Sequence, residues 1–340
     1  MLPGLSNLTN RLRYYGFYCW LLGFYFEKEK KGNQTEQYRF IRRAELLIAF
    51  LMQTERKSVT QITGSLFASN RIKTETEEFF DLSKGADKNN SNKGETYWEY
   101  SSGAFGQYYL GALGTLSLVI RYEQKNDVIF KITQLHSRQK VSGEQLAEAF
   151  DKSLTDEIKS LFYNSIKNGK LQKTDIPELI KYFAIDKVDP KNPEWQHYVD
   201  MLLDKDDPSE EIEEKFTFHR KNTILSLLSI ANRNDQKYDW KAYLDECYKQ
   251  KLINSDNTTD IDWYCYRLNE YWQYACGLIF YGMLCHLECL HEEYLPKFIT
   301  SFSDLIKNKL NTKENTTLEN YISSISENEN DILKQGSRLE

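Results

Sequence analysis

Hydrophobic and polar positions recur at helical spacing along most of the chain, and the first such run is the least polar. From Tyr14 to Phe26 no side chain carries a charge. Tyr14, Tyr15, Phe17, Tyr18 and Phe24, with Trp20 and Tyr25 beside them, point around the helix, so most of its faces must meet other protein. At about 1.5 Å per residue the run covers about two thirds of a bilayer core of about 30 Å, too short to span it. It ends in Phe26 and the charged cluster Glu27-Lys28-Glu29-Lys30-Lys31, not in a small-residue cleavage site, which argues against a secretion signal. The run is therefore expected to be a central core helix of a cytoplasmic protein that inserts nothing into a membrane.

Gly32-Asn33 breaks the pattern, and Glu36 to Arg56 predicts a second amphipathic helix with Phe40, Leu46, Leu47, Phe50 and Leu51 facing inward. Val59 to Arg71 predicts a shorter element interrupted by Gly64, and Ser83 to Thr96 a polar loop. The stretch "YWEYSSGAFGQYYLGALGTLSLVI" then predicts a Gly-punctuated helix followed by a strand over Leu116 to Tyr122. Asp127 to Thr133 is its return strand across a Gln124-Lys125-Asn126 turn. Ser142 and Gln145 have the spacing of a capping box and open a further helix. Helix, hairpin, helix is the order of a winged-helix-like unit; it is equally the order of a hairpin packed on a helical domain.

Beyond Leu154 the pattern gives helix after helix: Thr155 to Asn168 ending at Gly169, Asp175 to Phe183, and Pro193 to Leu203. Asp207-Pro208-Ser209-Glu210 is a helix start that leads into "TILSLLSIA". Tyr238 to Tyr248 follows, then the longest apolar run, Asp262 to about His291, and a polar tail from Asn311 with one helical pattern near Leu318 to Leu333. The fold class is thus mainly α and multi-helical, with one small β-hairpin in the amino-terminal half. The expected organisation is a helical domain with the hairpin over 1–153 and an all-helical domain over 154–335, with 336–340 read as a cloning remnant.

Four of the six cysteines lie in the long apolar run, where a free thiol behaves as a small hydrophobe, and this suggests a reducing compartment. Net charge is −6, but residues 1–73 hold 12 Lys and Arg against 5 Asp and Glu, so the first quarter is basic and the remainder acidic.

Catalytic motifs are absent from the sequence. Cys285 and Cys289 share a helix face near His286 and His291, yet two soft ligands do not make a zinc site, so no metal is expected. Asp204, Asp206, Asp207, Glu213, Glu214 and Lys215 resemble a nuclease metal set in composition only. At a capped helix start such acids complement the helix dipole. There is no phosphate-binding glycine loop, no nucleophile elbow, no zincin pair, and no arginine at ribonuclease spacing before any of the five histidines. Neither a catalytic residue nor a cofactor is expected.

The basic first quarter supplies the candidate nucleic-acid contacts: Arg11 and Arg13 on the first helix, Arg39, Arg42 and Arg43 on one side of the second, and Arg71 and Lys73 beyond. Arg121 and Lys125 lie on or near the hairpin tip. His219-Arg220-Lys221 is a separate basic patch. Set against a phosphate-binding role is a solvated polar face with ion pairs to the acidic carboxyl half.

The segments "LPGLSNLTNRLRYYGFYCWLL", "YWEYSSGAFGQYYLGALGTLSLV" and "FKIT" with "SGEQLAEAF" resemble a loosely defined set of bacterial proteins found among anti-phage defence and restriction genes. Thr133 and Gly143, separated by nine residues, depart from that set's tighter Leu-Thr-x-x-Gly spacing. The resemblance covers the first half of the chain and implies a context without any catalytic residue. The expectation is a non-enzymatic interaction subunit of a defence complex, partnered by subunits encoded nearby, an ATPase or a nuclease. The alternative is a DNA-binding module of winged-helix type that uses the basic quarter.

Overall fold

The computed structural model describes residues 2, 4–5, 8–9, 11–29, 32–57, 59–87, 96–124, 127–134, 140–203, 215–233, 240–252, 258–290 and 294–309. They form two compact units, one of Met1–Tyr243 with Asn257–Thr259, the other of Leu244–Asp256 with Asp260–Glu340. Position 153, expected as a domain boundary, lies within the first. The helix start at Asp207, the Lys125 turn, His291, the tail helix and residues 336–340 lie outside the described residues.

The first unit is built around α1 (Leu12–Lys28) and α2 (Gln34–Glu55). As the ring of aromatics requires, α1 buries every residue from Arg13 to Leu22, and then Phe24 and Tyr25. No side chain caps its amino end, so packing holds it. On one side Phe17 and Trp20 meet Phe150, Phe162 and Phe183, and the last two rings stack at 4.5 Å between centroids. On the other, Tyr14 and Tyr18 meet Tyr109 and Phe105. Each such ring contributes roughly 1.5–3 kcal/mol by leaving water. Asn33 and Glu36 close a capping box that starts α2 where Gly32-Asn33 breaks the chain.

Then come α3 (Ser65–Thr74), β1 (Phe79–Asp81) and the short α4 (Leu82–Ala86). A π-helical turn over Phe105–Tyr109 runs into α5 (Leu110–Thr115), and β2 (Val119–Gln124) pairs antiparallel with β3 (Asp127–Ile132) in the register Arg121 to Phe130. The expected hairpin is present. Ser142 and Gln145 form the capping box that opens α6 (Gly143–Asp151).

Helices α7 (Asp156–Asn168), α8 (Ile176–Phe183) and α9 (Pro193–Leu202) close over the same core. At Gly169 the chain turns with φ of 67°, a conformation free of strain only in glycine, and enters β4 (Lys170–Gln172). This strand pairs with β1 as a second two-stranded sheet that the hydrophobic pattern did not reveal. Three-residue strands are too short for alternation to register. α10 (Lys215–Arg233) completes the unit's described helices.

The second unit contains most of α11 (Trp240–Leu252) and of α12 (Thr258–Leu290), with α13 (Leu295–Lys309). Asp245 accepts from Arg267, and Tyr248 stacks on Tyr264, which pins α11 to the first part of α12. His286 bonds Ser301 and lies against Phe298 and Phe302, which pins α13 to the last part.

Candidate functional site

Three of the nine basic residues picked out as nucleic-acid contacts, Arg13, Arg42 and Arg43, are held in structural networks. Arg13 is 6% exposed and forms a two-pronged pair with the fully buried Glu194, Nε to Oε2 at 3.2 Å and NH2 to Oε1 at 2.9 Å. Its remaining terminal nitrogen donates to the Ala184 carbonyl, and its plane covers Phe150. Arg42 is 2% exposed and donates to the carbonyls of Ala86, Trp98 and Tyr100 while stacking on Tyr97. Arg43 forks onto Asp87 and donates to the carbonyls of Ile166 and Lys167. Neither Arg13 nor Arg42 can reach a phosphate, and this corrects the expectation of an arginine face on α2. Helical spacing placed Arg39, Arg42 and Arg43 on one side, but loop carbonyls cover the middle of that side.

The others are dispersed. Arg11 donates to the Thr60 carbonyl, Arg71 lies over Phe67, and Lys73 is exposed at the end of α3. Arg39 is 42% exposed and lies 3.9 Å from Asp87; Arg121 is 64% exposed, 3.5 Å from Glu123. Arg220, from the third basic patch, is 1% exposed and donates to the carbonyls of Met201 and Leu202. Lys125 lies outside the described residues.

Among the described residues, α5 gives the hairpin no base-reading partner. Exposed positions on α5 are Gly111, Gly114 and Thr115, which carry no side chain long enough to reach a base edge. β3 is fastened to α2, where the Gln37 amide donates to the Phe130 carbonyl and accepts from its N–H, both at 2.8 Å, as a neighbouring strand would. At the hairpin's base the gap between Thr133 and Gly143 closes. The Gly143 N–H donates to Thr133 Oγ1 at 3.0 Å, and a Cβ on Gly143 would stand 2.0 Å from the Leu118 carbonyl oxygen. Of the two readings of helix, hairpin, helix, the geometry is that of a hairpin packed on a helical body.

A polar cluster that sequence reasoning missed centres on Glu45, fully buried one turn beyond Arg42. Its carboxylate accepts from the Tyr18 and Tyr97 hydroxyls and from the N–H groups of Ala104 and Phe105, where the π-helical turn begins. Burial raises its pKa above the ordinary glutamate value against the pull of those four donors. Burial likewise pushes the Tyr15 hydroxyl up to about 12 and the Cys19 thiol far above its usual range. The signal was present: a lone acid within "AELLIAFLM", three residues after an arginine. The Glu45 carboxylate is fully buried with its four donors around it, and it fixes the π turn to α2.

Two shallow cavities flank α7. One of about 220 Å³ is lined by Tyr25, Glu29, Glu36, Arg39, Arg43 and Lys167, and its two arginines turn to Asp87 outside it. Lys167 holds Glu29 by a hydrogen bond that lowers the carboxyl's pKa. The other, about 430 Å³, is lined mainly by Asn164, Ser165, Asn168, Gln172 and Asp175. Neither gathers a nucleophile with a base. Among the described residues no three His, Cys, Asp or Glu side chains converge as metal ligands. His286 takes part in packing against α13.

The most unusual surface is the middle of α12, where every residue from Tyr271 to Tyr281 is exposed. Trp272 is 69% exposed, Tyr274 67%, Phe280 60% and Tyr281 66%, with Leu278, Ile279 and Leu284 near half. Trp272, Tyr281 and their neighbours are the residue types that anchor protein interfaces. No described helix is long and apolar enough to cross a membrane. Comparison with protein-family models, curated proteins and solved structures finds no match to this chain.

Proposed function

We propose that the protein is a non-enzymatic interaction subunit that binds a protein partner through the exposed apolar surface of α12. The observation behind this reading is the uncovered run from Tyr271 to Tyr281. A helix hydrophobic around its whole circumference is ordinarily buried, and soluble monomers rarely leave so contiguous an apolar surface open to water. The first unit suits a supporting role, because Arg13, Arg42, Arg43 and Glu45 are spent on holding its own loops. The resemblance of the first half to proteins of anti-phage defence clusters suggests the setting: a cytoplasmic bacterial complex in which a separate ATPase or nuclease carries the chemistry. The DNA-binding alternative is weaker, since Arg13 and Arg42 are buried and α5 offers no base-reading side chains.

Co-expression with each neighbouring gene product, followed by affinity capture, tests the proposal. The wild-type chain is expected to retain one defined neighbour, and Trp272→Asp with Phe280→Asp to weaken that capture by about 100-fold or more, as for two interface anchors. Melting of the variant should stay close to wild type, because both side chains are already exposed. Capture that survives the double substitution would move the interface elsewhere. Failure with every neighbour would overturn the reading.

A further inference from the structure

We infer that the protein self-associates through the open edge of β2, two copies joining their hairpins across a two-fold axis into one four-stranded antiparallel sheet. The Thr133 N–H donates to the Leu118 carbonyl, one step before Val119 meets Ile132 in the register of the hairpin. Bonded pairs alternate along an antiparallel ladder, so Ile120 and Tyr122 direct their backbone groups to β3, whereas Arg121 and Glu123 point theirs away from it. The outer edge of β3 is closed: Phe130, opposite Arg121, turns its N–H and carbonyl to the Gln37 amide. The outer edge of β2 is not. Among the described residues no donor or acceptor meets the outward backbone groups of Arg121 and Glu123, and the whole stretch Ile120 to Glu123 is exposed.

An open edge is a template for a further strand, and here the side chains select a strand of the same sequence. Within the exposed stretch, a two-fold axis that sets outward groups opposite one another falls at Arg121, Tyr122 or Glu123; at Ile120 it would draw in the buried Val119. Centring on Arg121 opposes arginine to arginine, and centring on Glu123 opposes glutamate to glutamate. Centring on Tyr122 sets Arg121 opposite the second copy's Glu123 on both sides of the axis, so that backbone hydrogen bonds and opposite charges coincide. On the other face Tyr122 meets the second copy's Tyr122 in the closer, non-bonded kind of pair, a favourable aromatic contact. Within one chain Arg121 and Glu123 lie 3.5 Å apart and exposed, a pair worth little, so little is lost when each turns to the other copy. The contact is isologous and closes at two copies, because the same edge is used by both. Its small extent places it at the weak end of specific interfaces. α12 takes no part in it, and the inference stands apart from the proposed function.

Sedimentation equilibrium of the full chain tests the contact. Wild type should show a reversible monomer–dimer equilibrium. Arg121→Glu or Glu123→Arg alone should raise its Kd about ten-fold or more by opposing like charges across the strands, and the two together should return it close to the wild-type value. Melting of the diluted monomers should match wild type in every case, because both side chains are exposed. Under mild oxidation Tyr122→Cys should give a disulfide that peptide maps place between position 122 of one copy and position 122 of the other, since that pairing holds the Cα atoms about 4.5 Å apart, within disulfide range. Glu123→Cys, with Arg121 opposite, should give none at its own position. A wild-type chain still monomeric at about 1 mM, a concentration at which even a weak interface populates the dimer, would overturn the inference. So would a dimer that ignores the charge reversals and disappears in Trp272→Asp with Phe280→Asp, because that contact lies on α12. An intact β2 dimer that captures no neighbouring gene product would sink only the proposed function.

Discussion

α1 and α12 each carry a long run of apolar and aromatic residues and have opposite surroundings. Around α1 every face is occupied: Trp20 is 2% exposed, its indole N–H donates to Asp151, and Phe24, Phe150, Phe162 and Phe183 enclose the ring. Around the middle of α12 no described residue covers Trp272, which is 69% exposed. Both helices carry the same hydrophobic pattern. The pattern states that a helix must be covered; whether the cover comes from its own unit is a matter of which other helices the chain brings to it.

The largest effect expected from this contrast comes from one substitution made in both helices. Trp20→Asp buries a carboxylate beside Asp151 in an aromatic core, a cost comparable with the whole stability of a domain, about 5–15 kcal/mol, and should leave no soluble folded protein. Trp272→Asp should express and melt like wild type, within about 0.5 kcal/mol. Equal behaviour of the two variants in expression and thermal melting would erase the distinction drawn between the helices.

Next is Arg13→Ala, which strands the buried Glu194 and the Ala184 carbonyl. Breaking a buried pair of this kind costs about 3–5 kcal/mol, to be read from urea denaturation. A variant that unfolds at the wild-type midpoint but loses affinity for duplex DNA would restore Arg13 as a nucleic-acid contact.

A smaller effect concerns Glu45. Because its folded pKa is raised, the stability it contributes is full below the ordinary glutamate value of 4.5 and is lost as pH rises through the folded value. Glu45→Gln keeps the shape but turns an amide toward two backbone donors, costing about 1–3 kcal/mol at pH 4.5. The gap in urea midpoint between wild type and variant should narrow as pH rises from 4.5 to 8. A gap that widens would mean the carboxylate is better held ionised than neutral.

Local chemistry made much of this molecule legible in its sequence. Ser142 and Gln145, the break at Gly32-Asn33, and Gly169 act on backbone groups within a few residues, so their spacing alone announces helix ends. The ring of aromatics on α1 required burial whatever covered it, and alternation over six residues announced the hairpin. What the sequence could not decide were pairings across long separations. Arg13 finds Glu194, Arg42 finds the carbonyls of Ala86, Trp98 and Tyr100, and Glu45 finds Tyr97 and the amides of the π turn. A guanidinium has the same donors whether it meets a phosphate or a loop carbonyl, so composition and helical phase made a basic face of residues that the folded chain turns inward. Helical phase likewise made α1 and α12 equals. Only the tertiary structure separated them, by closing four aromatic rings over Trp20 and leaving Trp272 in water.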